Sequence, residues 1–240
     1  MKLEVFDDVD SVAGKAAAAI AADARSAIDT RGRYALAVSG GHTPWIMLRA
    51  LAKEDLPWAG VHIFQVDERV APEGHADRNL THLRESLLQH VPVRPEHVHA
   101  MPVESQNLES AATQYAIALQ GVAGSPAVLD LVHLGLGPDG HTASLVPGDP
   151  VLNITDADVG VTGVYQGRRR MTLTYPALNR ARRVLWVVTG SEKAEMLRRL
   201  VDGDPSIPAG GVRQEQALLM ADRAAAGALT AEHKAGGAKS

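Results

Sequence analysis

The sequence predicts one α/β domain with a doubly wound, mostly parallel, Rossmann-like sheet. Short apolar runs alternate with amphipathic stretches of helical period along almost the whole chain, which is the pattern of a parallel sheet covered by helices. The chain has 240 residues, of which 45% are hydrophobic and 22% charged, so it can bury one large core. Because no repeat or long linker divides it, we expect a single domain over residues 1–232 and a flexible tail over 233–240.

The first elements illustrate the pattern. Leu3–Phe6 is expected to be a strand, and from about Asp10 apolar residues recur at helical spacing until Gly32 ends the helix. Tyr34–Val38 is apolar at every position, as a strand buried on both faces should be. The same reasoning predicts the remaining elements: helix Pro44–Ala52, strand Val61–Val66, helices Asn79–Gln89 and Glu109–Gln120, strand Val128–Leu134, a small β excursion with strands Val159–Tyr165 and Met171–Tyr175, strand Val184–Val188, helix Glu192–Leu200, strand Ala217–Met220 and a closing Ala-rich helix.

Composition excludes several classes of protein. The net charge of −4 provides no general attraction for nucleic acid or for an anionic membrane. The absence of cysteine excludes disulfides, a thiol nucleophile and a thiolate zinc site. The acidic N-terminus and the lack of an apolar run of about 18 residues argue against a secretory signal and a membrane helix. We therefore expect a cytoplasmic protein, a monomer or small homo-oligomer, that binds neither nucleic acid nor membranes.

Four strand ends define where a site is expected. In open α/β sheets, ligands bind beyond the carboxyl ends of the strands. The relevant ends follow Val38, Val66, Leu134 and Val188, and each is followed by glycine, hydroxyl or charged residues. The site is therefore expected where these four segments meet.

The segment SGGHTP, residues 39–44, joins an expected strand to an expected helix. Its paired glycines let the backbone approach an anion, and the free amides of a helix start favour phosphate. Ser39, Gly40, Gly41 and Thr43 are therefore candidate phosphate-binding residues. The alternative is an ordinary glycine-rich turn, and the GK[ST] ending of a nucleoside-triphosphate loop is absent.

Charged residues follow the strand Val61–Val66 directly. They are Asp67, Glu68 and Arg69, and Asn79 comes ten residues after the arginine. An arginine there can hold a phosphate or an oxyanion through two parallel hydrogen bonds. Asp67 and Asn79 are candidate substrate-binding residues beside it. The alternative is a solvated loop whose charges pair with one another.

The segment LGLGPDGHTAS, residues 134–144, is the most informative in the chain. It contains G-x-G-x-x-G after a strand, but Pro147 interrupts the long helix that a dinucleotide-binding unit requires, so we reject a dinucleotide site. The glycines instead present Asp139 and His141 at a strand end, where a histidine can take a proton from water near neutral pH. The alternative is a structural histidine bonded to the backbone.

Basic residues occur at two further places. Arg168, Arg169 and Arg170 precede an expected strand, and Lys193 lies at the start of the helix after Val184–Val188. A lysine is unfavourable beside the positive end of a helix, and a bound anion would offset this. The alternative for the arginines is a solvated surface.

His97 and His99 alternate along a possible strand. No third ligand has a suitable spacing, so we interpret them as surface histidines rather than as a metal site. None of the segments predicts a metal or a cofactor.

Taken together, these segments resemble the family that contains 6-phosphogluconolactonases and glucosamine-6-phosphate deaminases, from about residue 30 to residue 225. The motifs that carry the resemblance to the lactonases are SGGHTP (39–44), DERVAP (67–72) with Asn79, LGLGPDGHTASLVPG (134–148), RMTLTYPALNRAR (170–182) and GSEKAEML (190–197). One departure is His42, where the family more often has serine, and it puts one hydroxyl contact in doubt.

The resemblance implies hydrolysis of 6-phospho-D-glucono-1,5-lactone to 6-phosphogluconate, in the oxidative pentose phosphate pathway, without a metal or cofactor. It implies that His141 activates the water that attacks C1 and that Asp139 helps to orient the site. Arg69 is similar to an arginine that binds substrate oxygens, either of the phosphate or of the developing oxyanion. The residues that resemble the phosphate site are Ser39, Gly40, Gly41, Thr43, Arg170 and Lys193.

Two alternatives remain. Amino-sugar phosphate deaminases resemble the chain in the glycine loop and the DGH turn, but they typically carry a glutamate where this chain has Val146. Valine cannot transfer protons, which argues against that activity. The other alternative is a non-catalytic sugar-phosphate sensor, which normally needs an attached DNA-binding module, and no basic helix-turn-helix segment is found in the chain.

Overall fold

Two sheets form the frame of the molecule, for which the computed structural model describes residues 1–231 and 233. The strands are β1 (Lys2–Phe6), β2 (Tyr34–Val38), β3 (Val61–Gln65), β4 (Asp67–Arg69), β5 (Val98–His99), β6 (Leu131–Leu134), β7 (Val159–Val161), β8 (Arg170–Leu173), β9 (Arg183–Val188) and β10 (Ala217–Asp222). The larger sheet has seven strands in the order β1-β10-β9-β6-β2-β3-β5, and all its neighbours pair in parallel. The tail expected over 233–240 lies outside the described residues, apart from His233.

Helices cover both faces of this sheet. They are α1 (Val9–Arg31), α2 (His42–Leu51), α3 (Asn79–Ser86), α4 (Leu108–Ala123), α5 (Tyr175–Arg180) and α6 (Ala194–Val201). Side chains of β2 alternate between the two cores: Leu36 packs with α1, α2 and α3, whereas Ala37 packs with α4 and α6. The doubly wound α/β fold expected from the sequence is confirmed, since helices enclose a mostly parallel sheet from both sides.

Local chemistry sets the ends of the long first helix. The Asp8 carboxylate accepts a hydrogen bond from Ser11 N at 2.8 Å and so caps the amino end. Gly32 ends the helix in the left-handed region, with φ of 74°. The helix agrees with the expected bounds, and it fixes where β2 enters the sheet.

The smaller sheet is antiparallel, in the order β4-β8-β7. The expected β excursion around residues 159–175 is therefore confirmed, with shorter strands than expected. The charged residues after β3 form β4 itself, and Asp67 and Glu68 are buried. The interpretation of this segment as a solvated loop is wrong.

Several expected boundaries are wrong. The strand expected over 128–134 begins only at Leu131, because the Asp130 side chain takes the Ala35 N–H at 2.8 Å in place of a ladder partner. Tyr175, expected to be the last residue of a strand, instead begins helix α5, with Pro176 in its first turn. Pro44 is the third residue of α2 rather than the first.

Ala231, further along the chain, is helical, but the closing Ala-rich helix is wrong for residues 225–228, which form a 3₁₀ turn after β10. This turn contains Gly227, which weakens a helix, and Ala225 N donates to the Asp222 carboxylate at 2.7 Å.

The histidines at 97 and 99 do not lie freely at the surface. Both are half-buried at the edge of the sheet. The His97 ring stacks on His62 with centroids 3.8 Å apart, and the His99 ring stacks on Phe64 at 4.2 Å. The two rings pack against side chains of β3, the strand next to the edge strand β5.

Candidate active site

A cavity of about 440 Å³ opens at the carboxyl edge of the parallel sheet. The segments that follow β2, β3, β6 and β9 all contribute to its wall, as expected from the strand-end rule. The sequence-predicted residues that line it are Ser39, Gly40, Gly41, Thr43, Asp67, Arg69, Asn79, His141, Arg170 and Lys193. Asp139 lies behind His141 and does not line the cavity.

The glycine loop forms one wall of the cavity. A Cβ atom at Gly40 would collide with the Asn79 side chain, so the two segments can meet only with glycine here. Gly41, with φ of 126°, precedes α2, and no side chain caps that helix start. Its amides are therefore left for a ligand.

Two hydroxyls of this loop bond within the protein. Ser39 Oγ donates to His133 O at 3.0 Å, and Ser39 N donates to His133 Nδ1 at 3.3 Å. Burial lowers the pKa of His133 to about 3, so its ring is neutral and Nδ1 can accept. Thr43 Oγ1 lies 2.6 Å from Thr189 Oγ1, which ties the loop to the end of β9.

His141 is held by the turn that precedes it. Gly140 adopts φ of 82°, and a Cβ atom there would collide with Ile207, so the turn requires glycine. Gly137 N donates to His141 O at 2.8 Å. The ring Nδ1 lies 2.5 Å from Asp139 Oδ1, which leaves Nε2 as the ring nitrogen available to a substrate.

Asp139 remains ionised beside the ring. Burial alone would raise the pKa of Asp139, but hydrogen bonds from Tyr165 and His141 outweigh this effect and leave it below the usual value. The Tyr165 hydroxyl donates to Asp139 Oδ2 at 2.8 Å. Each carboxylate oxygen therefore has its own partner. A carboxylate that holds Nδ1–H fixes the tautomer a general base requires.

Two arginines face each other on the smaller sheet. Arg69 on β4 is directly opposite Arg170 on β8, where like charges destabilise a sheet. Arg170 is 3% exposed, its buried Nε has no partner among the described residues, and burial lowers its pKa. Neither arginine forms an ion pair with a carboxylate in the described part of the chain. An anion bound between them would supply the missing partner.

The acidic residues of β4 have different surroundings. Asp67 lines the cavity, accepts a hydrogen bond from Ser144 Oγ at 2.6 Å, and burial raises its pKa. Glu68 is fully buried, pairs with Arg78 at 3.1 Å, and accepts from Asn79 N at 2.8 Å. Glu68 therefore holds the start of α3 in place. Asp67 holds the Asn79 side chain, whose Nδ2 donates to Asp67 O at 3.0 Å and to Asp67 Oδ1 at 3.3 Å.

The loop after β9 completes the cavity. Gly190 N donates to both oxygens of Asp222 at 3.1 Å, which anchors the loop to the end of β10. Lys193 follows in a short 3₁₀ turn and contributes a third positive charge to the lining. Lys193 is also the N-cap residue of α6, so it lies at a helix start as expected from the sequence.

Sequence reasoning missed several residues of the site. Thr189 and Glu192 line the cavity beside Lys193, and Tyr165 and Ser144 hold the two aspartates. Glu192 lies in the GSEKAEML motif, so its place in the site could have been predicted from the sequence. Tyr165 gave none, because its segment was interpreted as strand.

The described residues contain no group of three His, Cys, Asp or Glu side chains arranged to hold a metal ion. In that same part of the chain, no helix is both long and apolar enough to cross a membrane.

The arrangement was compared with known proteins. The model of the family described as glucosamine-6-phosphate isomerases/6-phosphogluconolactonase matches residues 7–220. The chain belongs to this family. A 6-phosphogluconolactonase of Nostoc sp. is 34% identical over 233 residues, which cover 94% of this chain and 97% of the relative. A crystal structure of a 6-phosphogluconolactonase from Thermotoga maritima has 27% identity and a TM-score of 0.81, and the match covers 92% of this chain and 98% of that one.

The same fold also occurs with a second activity. A structure of a monomeric glucosamine-6-phosphate deaminase matches with a TM-score of 0.83 over 95% of this chain and 100% of that one, at 19% identity. The fold alone therefore does not distinguish the two activities of the family. The side chains of the cavity have to do so.

Proposed function

We propose that this protein hydrolyses 6-phospho-D-glucono-1,5-lactone to 6-phosphogluconate, a step of the oxidative pentose phosphate pathway. The observation that carries the proposal is the pairing of two features in one cavity. One is a histidine whose Nδ1 is held by Asp139, and the other is a pair of opposed arginines with no carboxylate partner among the described residues. The lactonase relatives named above support the same substrate.

The proposed reaction uses His141 as a general base. Nε2 takes a proton from water while the water oxygen attacks C1 of the lactone, and a tetrahedral oxyanion forms. When the intermediate collapses, the bond from C1 to the ring oxygen breaks, and the protonated ring of His141 returns the proton to that oxygen. The product is the open-chain acid, and the enzyme is unchanged. One positioned base contributes roughly 10²–10⁴-fold to such a rate.

The substrate phosphate is assigned to Arg170, Lys193 and the amides of the glycine loop. A phosphate satisfies the buried Nε of Arg170 and offsets the repulsion between Arg170 and Arg69. Arg69 is proposed to bind substrate oxygens. Asp67 and Asn79 are proposed to bind polar groups of the sugar. Binding energy from a phosphate far from C1 helps to fix C1 against the attacking water.

The deaminase activity of the same family is disfavoured by one residue. Where those enzymes typically carry a glutamate, this chain has Val146, which is 3% exposed. A buried valine cannot exchange protons with an amino sugar. Lactone opening needs only one proton acceptor near the attacking water, and His141 meets that need.

We further infer that the reaction needs no metal, and that the protein works in the cytoplasm as a monomer or small homo-oligomer without binding nucleic acid. The net charge of −4 supports the last point. A neutral imidazole can accept the proton by itself at cellular pH. Dialysis against a strong chelator should leave the activity intact, and loss that a divalent ion restores would contradict this mechanism.

The direct test is a pH-stat assay on freshly generated 6-phosphogluconolactone. We expect acid release well above the spontaneous rate, and no ammonia release from glucosamine 6-phosphate. Hydrolysis at the spontaneous rate by folded protein would reject the proposed function.

A further inference from the structure

A tight hairpin brings one tyrosine into contact with two residues that line the cavity, His141 and Arg170. Tyr165 and Arg168 pair across the two-residue turn Gln166-Gly167. Both turn residues have positive φ, 50° and 80°, as this type of hairpin turn requires. The turn places Tyr165 between the loop that carries His141 and strand β8, which carries Arg170.

The Tyr165 side chain contacts both the His141–Asp139 pair and Arg170. Its hydroxyl donates to Asp139 Oδ2 at 2.8 Å, and its ring lies edge-on to the His141 ring with centroids 5.6 Å apart. The Arg170 guanidinium carbon lies 4.8 Å from the centre of the Tyr165 ring. Gln166 links the same groups, since its Oε1 accepts from Arg170 at 3.0 Å and its Nε2 donates to the Tyr165 hydroxyl at 3.4 Å.

We propose that Tyr165 is a positioning residue that couples the His141–Asp139 pair to the phosphate-binding Arg170. The proposal rests on the proposed function, because it gives the Tyr165 hydroxyl and the Tyr165 ring separate roles in that reaction. The hydroxyl acts on the base, and the ring face acts on the arginine.

The hydroxyl acts through the carboxylate. Oδ1 of Asp139 faces His141 and Oδ2 faces Tyr165, so the tyrosine fixes the plane of the carboxylate and takes up part of its charge. Burial, together with the hydrogen bond to Asp139, raises the pKa of Tyr165, which keeps the hydroxyl a donor at neutral pH. Without it, the carboxylate can rotate, and its full charge favours the protonated form of the His141 ring.

The ring face acts on Arg170. A guanidinium above a tyrosine ring is attracted by the negative face of the ring. The contact supports a buried cation whose cross-strand neighbour is Arg69. The Tyr165 ring therefore holds Arg170 in the orientation that meets a phosphate. One terminal nitrogen of Arg170, Nη2, donates a hydrogen bond to Gln166 Oε1.

Tyr165→Phe separates the two tasks, because it removes the hydroxyl and keeps the ring. We expect kcat to fall by roughly five- to tenfold, the order of one hydrogen bond to a charged group, with KM unchanged within about twofold. The acidic limb of the kcat/KM profile should move to higher pH by about half a unit. A folded variant with wild-type kcat and an unmoved acidic limb would overturn the proposal.

Tyr165→Leu removes the ring face as well. We expect the same loss of kcat and, in addition, a rise of roughly three- to fivefold in KM for the phosphorylated lactone, the scale of a partly exposed cation–π contact. KM for unphosphorylated gluconolactone should not change further. A rise that is equal for both lactones would show that the ring does not act through Arg170.

Tyr175→Phe is the matched control, since it removes a tyrosine hydroxyl that donates to Pro208 O at 2.7 Å outside the cavity. It should leave kcat and the acidic limb unchanged. A second readout uses ligand-free protein: the NMR titration of the His141 ring, assigned with His141→Gln, should move to higher pH in Tyr165→Phe. If the unsubstituted protein fails to hydrolyse the lactone while this titration moves, the proposed function fails and the positioning role stands. If the titration does not move, the positioning role fails.

Discussion

The two edges of the parallel sheet use arginine in opposite ways. At the amino-terminal edge, Arg31 and Arg182 both reach the carboxylate of Asp130, at 2.7 and 3.4 Å. At the carboxyl edge, Arg69 and Arg170 face each other, with no carboxylate ion pair within the described residues. The first arrangement is complete without a ligand. The second is complete only when an anion enters.

The difference shows that the charges of the amino-terminal edge stabilise the fold, whereas those of the carboxyl edge destabilise the ligand-free protein. The Asp130 carboxylate is buried and accepts from Ala35 N as well as from the arginines, so its charge is fully compensated. Arg170 is equally buried but keeps an unpartnered Nε. Buried groups without partners cost free energy, which proteins tolerate mainly at sites that bind or react.

The largest expected effect comes from removing the base at the carboxyl edge. His141→Asn should lower kcat by roughly 10²-fold or more, because the amide cannot accept the proton from water. The melting temperature should change little, since the ring is partly exposed and its backbone bonds remain. His90→Asn, an exposed histidine that does not line the cavity, is the control. Near-normal turnover in folded His141→Asn protein would remove His141 from the mechanism.

The amino-terminal edge should respond in stability instead. Asp130→Asn should lower the free energy of unfolding by about 1–3 kcal/mol, because it leaves charged donors without a charged acceptor at a buried position. KM for the lactone should not change. Glu195→Gln, which breaks an exposed ion pair with Arg198, is the control and should leave the urea unfolding curve nearly unchanged. An unchanged stability of Asp130→Asn would show that this edge is not stabilised by its charges.

Acid should act on the carboxyl edge through His133, which supports Ser39. Burial lowers the pKa of folded His133 to about 3, whereas the unfolded chain has the ordinary value of 6.5. Between these values only the unfolded chain binds the proton, so stability present above pH 6.5 is lost as the pH falls. We expect His133→Gln to reduce the loss of unfolding free energy between pH 7 and pH 5 by about 1–2 kcal/mol, measured by urea unfolding. The same loss in variant and wild type would contradict a neutral, buried His133.

The smallest expected effect is a gain. Arg170→Met should raise the free energy of unfolding of ligand-free protein by about 0.5–1 kcal/mol, because it removes the repulsion from Arg69 across the strand pair. It should also abolish stabilisation by added 6-phosphogluconate. Arg180→Met breaks the ion pair with the buried Asp158 and should instead destabilise. A loss of stability in Arg170→Met would mean that this arginine is already satisfied by the protein.

The sequence was enough to predict that the four site segments lie close together, but not which of their side chains contact one another. The carboxyl ends of four parallel strands share one edge of a sheet, so Ser39, Arg69, His141 and Lys193 could be expected near one another from that rule alone. The sequence could not show that Ser39 Oγ donates to His133 O, because that contact depends on the register of β2 against β6.

The missed elements share a physical cause. Tyr175 follows strand β8 and was expected to be the last strand residue, but it begins helix α5, which has Pro176 in its first turn. Tyr165 likewise follows a strand, and the turn at Gln166-Gly167 directs it to Asp139. Local pattern predicts elements well, but it does not report contacts between residues that are 26 positions apart, as Tyr165 and Asp139 are.

The central claim is that the uncompensated charge at the carboxyl edge binds the substrate phosphate. Its most direct test is kcat/KM on 6-phosphogluconolactone and on unphosphorylated gluconolactone, for the wild type, Arg170→Gln and Arg183→Gln, whose arginine pairs with Asp23 at the other edge. We expect Arg170→Gln to lose roughly 10- to 100-fold on the phosphorylated lactone and little on the other, while Arg183→Gln keeps both values. Equal losses on both lactones in Arg170→Gln, or no loss at all, would contradict the claim.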